Sequence, residues 1–178
     1  IIKELVIRFI KNIKMKTLAI YAGSFNPFHI GHLNILEKAE KIFGKGNVLV
    51  AMGVNPAKLS LDEVRKGALE KMSLLENKIG RKVEAYFSFL HEFIEQKEKE
   101  GYDVVLVRGL RNGDDLAYEN NQLSFIHDFK PEVKSVFIMC DKQYEHVSSS
   151  SIRQLESFIP GSGSKYLVWY LFVLFYYY

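Results

Sequence analysis

The chain has 178 residues, is 48% apolar and carries a formal charge of +3, which is the length and composition of a single globular domain with a full core. Its one cysteine, Cys140, excludes a disulfide framework and points to a reducing, cytoplasmic setting. Lys3, Arg8, Lys11 and Lys14 against Glu4 account for the whole of the net charge, so the remainder is neutral and offers no broad basic face to nucleic acid.

Residues 1–14 are amphipathic and basic but lack the apolar core and small-residue cleavage site of a secretory signal. A helical extension, a targeting sequence and upstream read-through all fit them. Met15-Lys16-Thr17, directly before the first strand, reads as a natural start. Thr17 to Ala22 is a short apolar run, the pattern of a strand buried in a parallel sheet. It leads into Gly23-Ser24-Phe25-Asn26-Pro27-Phe28-His29-Ile30-Gly31-His32. From Leu33 to Phe43 apolar residues recur at helical spacing, with a stop at Gly44-Lys45-Gly46. A strand, a glycine-bearing loop and a helix in succession aim backbone N–H groups and the positive end of a helix dipole at one point, a seat for a polyphosphate. His29 and His32 frame that point, and imidazoles donate hydrogen bonds to phosphoryl oxygens.

The alternation continues. Strands are expected at 48–52, 83–87, 103–107 and 136–139, with helices at 61–75, 90–99, 116–128 and from Ile152 to Phe158. This predicts an α/β fold: a Rossmann-like, doubly wound parallel sheet of five strands with helices on both faces, and ligands at the carboxyl ends of the strands. Three further loops fall at those ends. Lys58 follows the second strand, Arg108-Gly109-Leu110-Arg111 follows the fourth, and Ser148-Ser149-Ser150-Ser151 follows the fifth. Each has an ordinary alternative: a solvated lysine, arginines in surface ion pairs, serines that merely cap a helix. Convergence on one crevice favours a phosphate site, with the guanidiniums as planar clamps. Cys140 lies at the end of an apolar run and reads as a buried core thiol. Gly161-Ser162-Gly163-Ser164 reads as a flexible break before Tyr166 to Tyr178, an uncharged aromatic segment too short to span a bilayer unaided. Packing against the body, an oligomer contact, an interfacial anchor and a scrambled terminus all remain open for that segment. The expected organisation is an extension at 1–14, a single α/β domain with this phosphate site at 15–160 and a tail at 161–178.

The loop from Gly23 to His32 resembles the signature of the H-x-G-H nucleotidyltransferases. Together with Arg108-Gly109-Leu110-Arg111, the following Asp115, Tyr118 and Glu119, and Ser148 to Ser150, it is similar to bacterial-type phosphopantetheine adenylyltransferases over about residues 16–160. The resemblance implies adenylyl transfer from ATP to 4'-phosphopantetheine with Mg²⁺ carried on the ATP phosphates, no resident metal, no membrane partner and a homo-oligomer, a hexamer. It also implies roles by position. His32, Lys58 and Arg111 would be catalytic. Ser24, Phe25, His32, Gly109, Arg111, Glu119, Tyr144, Ser148, Ser149 and Ser150 would bind ATP, and Ser24, Lys58, Leu90 and Arg108 the acceptor. Asn26 stands where the family usually has Asp, and Ile126 where it has Asn. His29 and the Ser-Ser-x-Ile-Arg ending also resemble nicotinamide or nicotinate mononucleotide adenylyltransferases, an alternative alongside a non-catalytic nucleotide-binding module.

Overall fold

The computed structural model describes residues 15–54 and 61–168, without the side chains of 61–64. The leader at 1–14, Lys58 and the aromatic segment from residue 169 onward lie outside the described residues. Five strands, β1 (Lys16–Gly23), β2 (Val48–Gly53), β3 (Val83–Tyr86), β4 (Tyr102–Leu110) and β5 (Lys134–Met139), form one sheet in the order β3-β2-β1-β4-β5, every pair parallel. Five α-helices join or follow them: α1 (Ile30–Phe43), α2 (Leu61–Ile79), α3 (Leu90–Lys99), α4 (Gly113–Phe129) and α5 (Ser149–Phe158). The predicted doubly wound fold is therefore the observed one.

Successive residues of β1 serve opposite faces, as the pleat requires. Ala19 and Tyr21 join one cluster with Ile35, Leu36 and Ala39 of α1 and Ala68, Leu75 and Ile79 of α2. Ile20 and Ala22 join the other with Phe93 and Ile94 of α3 and Leu123 of α4. Burial on both faces is why the strands read as continuous apolar runs rather than alternating ones. The chain order reverses at β1, which is flanked by β2 and β4, so the crevice at the carboxyl ends of β1 and β4 is the switch point where ligands of such sheets bind.

Several boundaries differ from expectation. β4 runs to Leu110 rather than Val107, placing Arg108 and Gly109 inside the strand and pairing them with Phe137 and Ile138. α2 continues to Ile79, whose side chain extends the buried stripe of Leu75. Cys140 is buried as expected but sits just past β5, where its N–H donates to the Leu110 carbonyl at 2.8 Å. Gly161 to Ser164, whose composition suggests a flexible break, forms a held turn. The buried Glu156 carboxylate accepts from the backbone N–H groups of Gly161 and Gly163, at 2.7 and 2.5 Å. Gly161 takes a left-handed φ of 86° that favours glycine. The chain then returns to the body, with Leu167 bridged to His29 and both Leu167 and Val168 buried.

Candidate active site

The loop after β1 is folded inward by aromatic packing. Phe25 has a left-handed backbone, φ 47°, which a non-glycine residue adopts only when its surroundings hold it. What holds it is its buried ring, edge-on to Tyr21 at 5.2 Å between centroids and tilted against Phe28 at 5.3 Å. Gly23 leaves room for this ring, since a Cβ there would meet it at 3.0 Å.

α1 begins at Ile30, three residues before the apolar periodicity predicts, because His29 is its N-cap. The His29 Nδ1 accepts from the His32 backbone N–H at 3.4 Å, and the His32 Nδ1 accepts from the His29 backbone N–H at 3.3 Å. This is a reciprocal capping box built from imidazoles in place of the usual hydroxyl and carboxylate. The two rings stack at 3.6 Å with 22° between their planes. Gly31 is required by that arrangement, because a Cβ on it would stand 3.1 Å from the His29 Cε1 and Nδ1 atoms. The close approach that glycine permits is thus to the chain's own imidazole.

An imidazole whose Nδ1 accepts a hydrogen bond carries its neutral-state proton on Nε2. Both rings are held in that neutral form. Burial, then the Arg111 charge, pushes His29 down to about 4. Burial, then His29, then Arg111 hold His32 well below the ordinary histidine value. His32 is packed edge-on against Phe25, with 5.1 Å between centroids. The site therefore presents Nε2–H donors without placing two like charges in contact.

The arginines do not form a common clamp. Arg108 donates to Glu119 through Nε, reaches it again through Nη2, and donates to the Ala22 carbonyl at 3.3 Å. Arg111 forms a two-pronged pair with Asp115, Nε to Oδ2 at 2.8 Å and Nη2 to Oδ1 at 2.6 Å. Its backbone N–H donates to the same carboxylate at 2.8 Å. That network holds Asp115 below the usual carboxylate range, with the Arg111 side-chain bond as the largest cause. Asn112, the N-cap of α4, accepts from the Asp115 N–H at 3.1 Å and so fixes the carboxylate at the helix start. The ion-pair alternative recognised from sequence is thus realised by both guanidiniums.

The serine loop behaves as its sequence predicts. Ser148 is the N-cap of α5, its Oγ accepting from the Ser151 N–H at 3.0 Å. Ser149 Oγ donates to the Pro27 carbonyl at 3.0 Å, and Arg153 donates to the Asn26 carbonyl, tying the start of α5 to the first loop.

A cleft of about 240 Å³ lies between these parts. Of the residues expected from sequence, His32, Gly109, Arg111, Glu119, Ser148 and Ser149 line it, together with His29. Ser24 is exposed on the neighbouring loop, Phe25 is buried behind His32, and Arg108 is held by Glu119. Ser150 reaches Ser148 Oγ at 3.1 Å, Tyr144 lies beside Gly31, and Leu90 packs with the α3–α4 cluster. None of those six is a lining residue. The cleft also takes in Tyr21, Cys140 and Asp115. Sequence gives no sign of the first two, which are hidden in apolar runs, whereas Asp115 belongs to the motif after Arg111.

The cytidylyltransferase-like family model matches residues 20–155. The chain belongs to that family. The matched span contains every residue that lines the cleft. The family makes it a nucleotidyltransferase. Among curated relatives, the phosphopantetheine adenylyltransferase of Clostridium botulinum strain Langeland is 33% identical over 144 residues, 81% of this chain and 84% of the relative. That of Clostridium novyi strain NT is 31% identical over 141 residues, 79% and 84% of the two chains. Among solved structures, a bifunctional NMN adenylyltransferase/ADP ribose pyrophosphatase from Francisella tularensis superposes with a TM-score of 0.52 at 14% identity, covering 86% of this chain and 45% of that one. The chain thus spans less than half of that protein. Nicotinic acid mononucleotide adenylyltransferase of Plasmodium falciparum, solved with NaAD, gives 0.51 at 16% identity over 79% and 83%. At these identities the structures establish the shared nucleotidyltransferase fold. No helix among the described residues is long and apolar enough to cross a membrane.

Proposed function

We propose that this chain transfers the adenylyl group of ATP to 4'-phosphopantetheine, giving dephospho-coenzyme A and pyrophosphate in coenzyme A synthesis. The observation that carries the transfer chemistry is the neutral, reciprocally capped His29–His32 pair lining the switch-point cleft together with Arg111. The acceptor rests on the relatives named phosphopantetheine adenylyltransferase. In the reaction, an acceptor phosphate oxygen attacks the α-phosphorus of ATP. A new P–O bond forms as the bond to the β-phosphate bridging oxygen breaks, and pyrophosphate leaves with that electron pair. Such a displacement needs no protein nucleophile, only alignment and donors aimed at the charge that develops.

In this reading His32 Nε2–H stabilises the transferred phosphoryl oxygens. Ser24, Phe25, Gly109, Arg111, Glu119, Tyr144 and the Ser148–Ser150 turn hold ATP. Ser24, Arg108, Lys58 and Leu90 hold the acceptor, and Lys58 adds catalytic positive charge. Mg²⁺ would be held by the ATP phosphate oxygens and water, as the family resemblance implies. When bound it would neutralise the departing pyrophosphate. A homo-oligomer, a hexamer by the family resemblance, is part of the same proposal. The test is to incubate the chain with ATP, Mg²⁺ and either 4'-phosphopantetheine or nicotinamide mononucleotide and to follow pyrophosphate. Release with phosphopantetheine supports the proposal. Release only with the mononucleotide moves the acceptor, and release with neither leaves a nucleotide-binding module.

A further inference from the structure

We infer that Tyr21 is a nucleotide-contact residue: its phenol hydroxyl, at the floor of the cleft beside Gly109, donates a hydrogen bond to an oxygen acceptor of the bound nucleoside triphosphate. This rests on the adenylyl-transfer reading and adds to it a residue that neither the signature motifs nor the arginine and serine loops contain.

Tyr21 occupies the centre of β1, between Val50 and Val107, and only 4% of it is exposed. Its ring is fully used in packing, edge-on to Phe25 and to His32, within the larger apolar cluster. Phenylalanine would supply all of those contacts. The hydroxyl is the surplus group. Among the described residues it has no hydrogen-bond partner, and it opens onto the cleft rather than being sealed beneath it. It is therefore a solvent-reachable donor on the cleft wall that the rest of the described chain leaves unused.

Its surroundings indicate what it meets. A Cβ at Gly109 would stand 3.4 Å from the Tyr21 oxygen and 2.9 Å from the Ile35 Cγ1, so the bare glycine keeps the space beside the phenol open. Arg108, Glu119 and Cys140 are its charged and ionisable neighbours, and burial raises the phenol above its usual value, so it stays protonated and acts as a donor at any working pH. In the free protein, cleft water satisfies that donor. A ligand that fills the cleft expels the water and must itself offer an acceptor, or leave the O–H unmet. The neighbours Gly109, Arg111 and Glu119 belong to the nucleotide side of the proposed site, which makes the triphosphate nucleotide the ligand in question.

The experiment compares the wild-type chain with Tyr21→Phe by calorimetric titration with ATP and Mg²⁺, by steady-state kinetics and by thermal unfolding. The variant is expected to bind ATP about five- to tenfold more weakly, the size of one ordinary hydrogen bond. KM for ATP should rise in parallel, with KM for 4'-phosphopantetheine and Tm unchanged. Unchanged ATP affinity in the variant, a rise in KM for the acceptor instead of ATP, or weakened binding accompanied by a lower Tm would overturn the inference and leave the cleft reading standing. Failure of the wild-type chain to bind ATP would overturn that reading and this inference with it.

Discussion

Acidification should break the imidazole cap at a pH set by His29. In the folded chain this group titrates at about 4, below its ordinary value near 6.5, because burial and Arg111 disfavour its charged form. The unfolded chain therefore takes up the proton first as pH falls. The cap's contribution is present in full above pH 6.5 and is lost progressively as pH drops toward 4. Linkage gives a loss of about 2 kcal/mol by pH 5 and roughly 3 kcal/mol below pH 4. The assay is urea unfolding of the wild type and of His29→Asn at pH 7.5 and 5.0. Asparagine can accept from the His32 N–H as an ordinary N-cap but does not titrate. Between those two pH values the wild type should lose about 2 kcal/mol more than the variant. Equal losses would mean that His29 is not the neutral, accepting partner in the cap, and the tautomer derived for His32 would lose its support.

Gly31→Ala sets a Cβ 3.1 Å from the His29 ring, so it should lower both Tm and turnover, at a stability cost near that of losing an N-cap, about 1 kcal/mol. Thermal unfolding and pyrophosphate release check it, and an unaltered Tm would refute the contact. His32→Ala should reduce kcat by roughly a hundredfold or more while changing ATP affinity far less, as expected for a donor used mainly in the transition state; equal losses in both would deny it that role. Glu119→Gln leaves Arg108 without its carboxylate partner, and both side chains are 17% exposed. It should destabilise by about 1–3 kcal/mol in urea titrations, with a larger effect at low salt; no change would mean that the pair does not hold Arg108.

Much of this architecture is legible in the sequence. The apolar runs of β1, β2 and β4 announce strands buried on both faces, and the alternation with helices announces the parallel order. What escaped is tertiary in origin. The start of α1 is hidden because histidine is not a habitual cap, and only its partner at His32 makes it one. The true end of β4 is hidden because Arg108 and Gly109 look like a strand exit, although one pairs with a carboxylate eleven positions on and the other makes room for Ile35. Tyr21 reads as one more apolar residue, since periodicity places its ring but says nothing of its hydroxyl. The turn at Gly161 looks loose until Glu156 is seen to hold it.

The pairing of Arg108 with Glu119 and of Arg111 with Asp115 leaves these four charges balanced at rest. With its histidines neutral, the described lining of the cleft adds little net charge of its own, so the pull on an anion rests on groups such as the proposed Lys58. Capture of a polyanion then depends on exchanging one partner for another at contact distance. Selection among anions at these two arginines turns on shape and re-pairing rather than on charge alone.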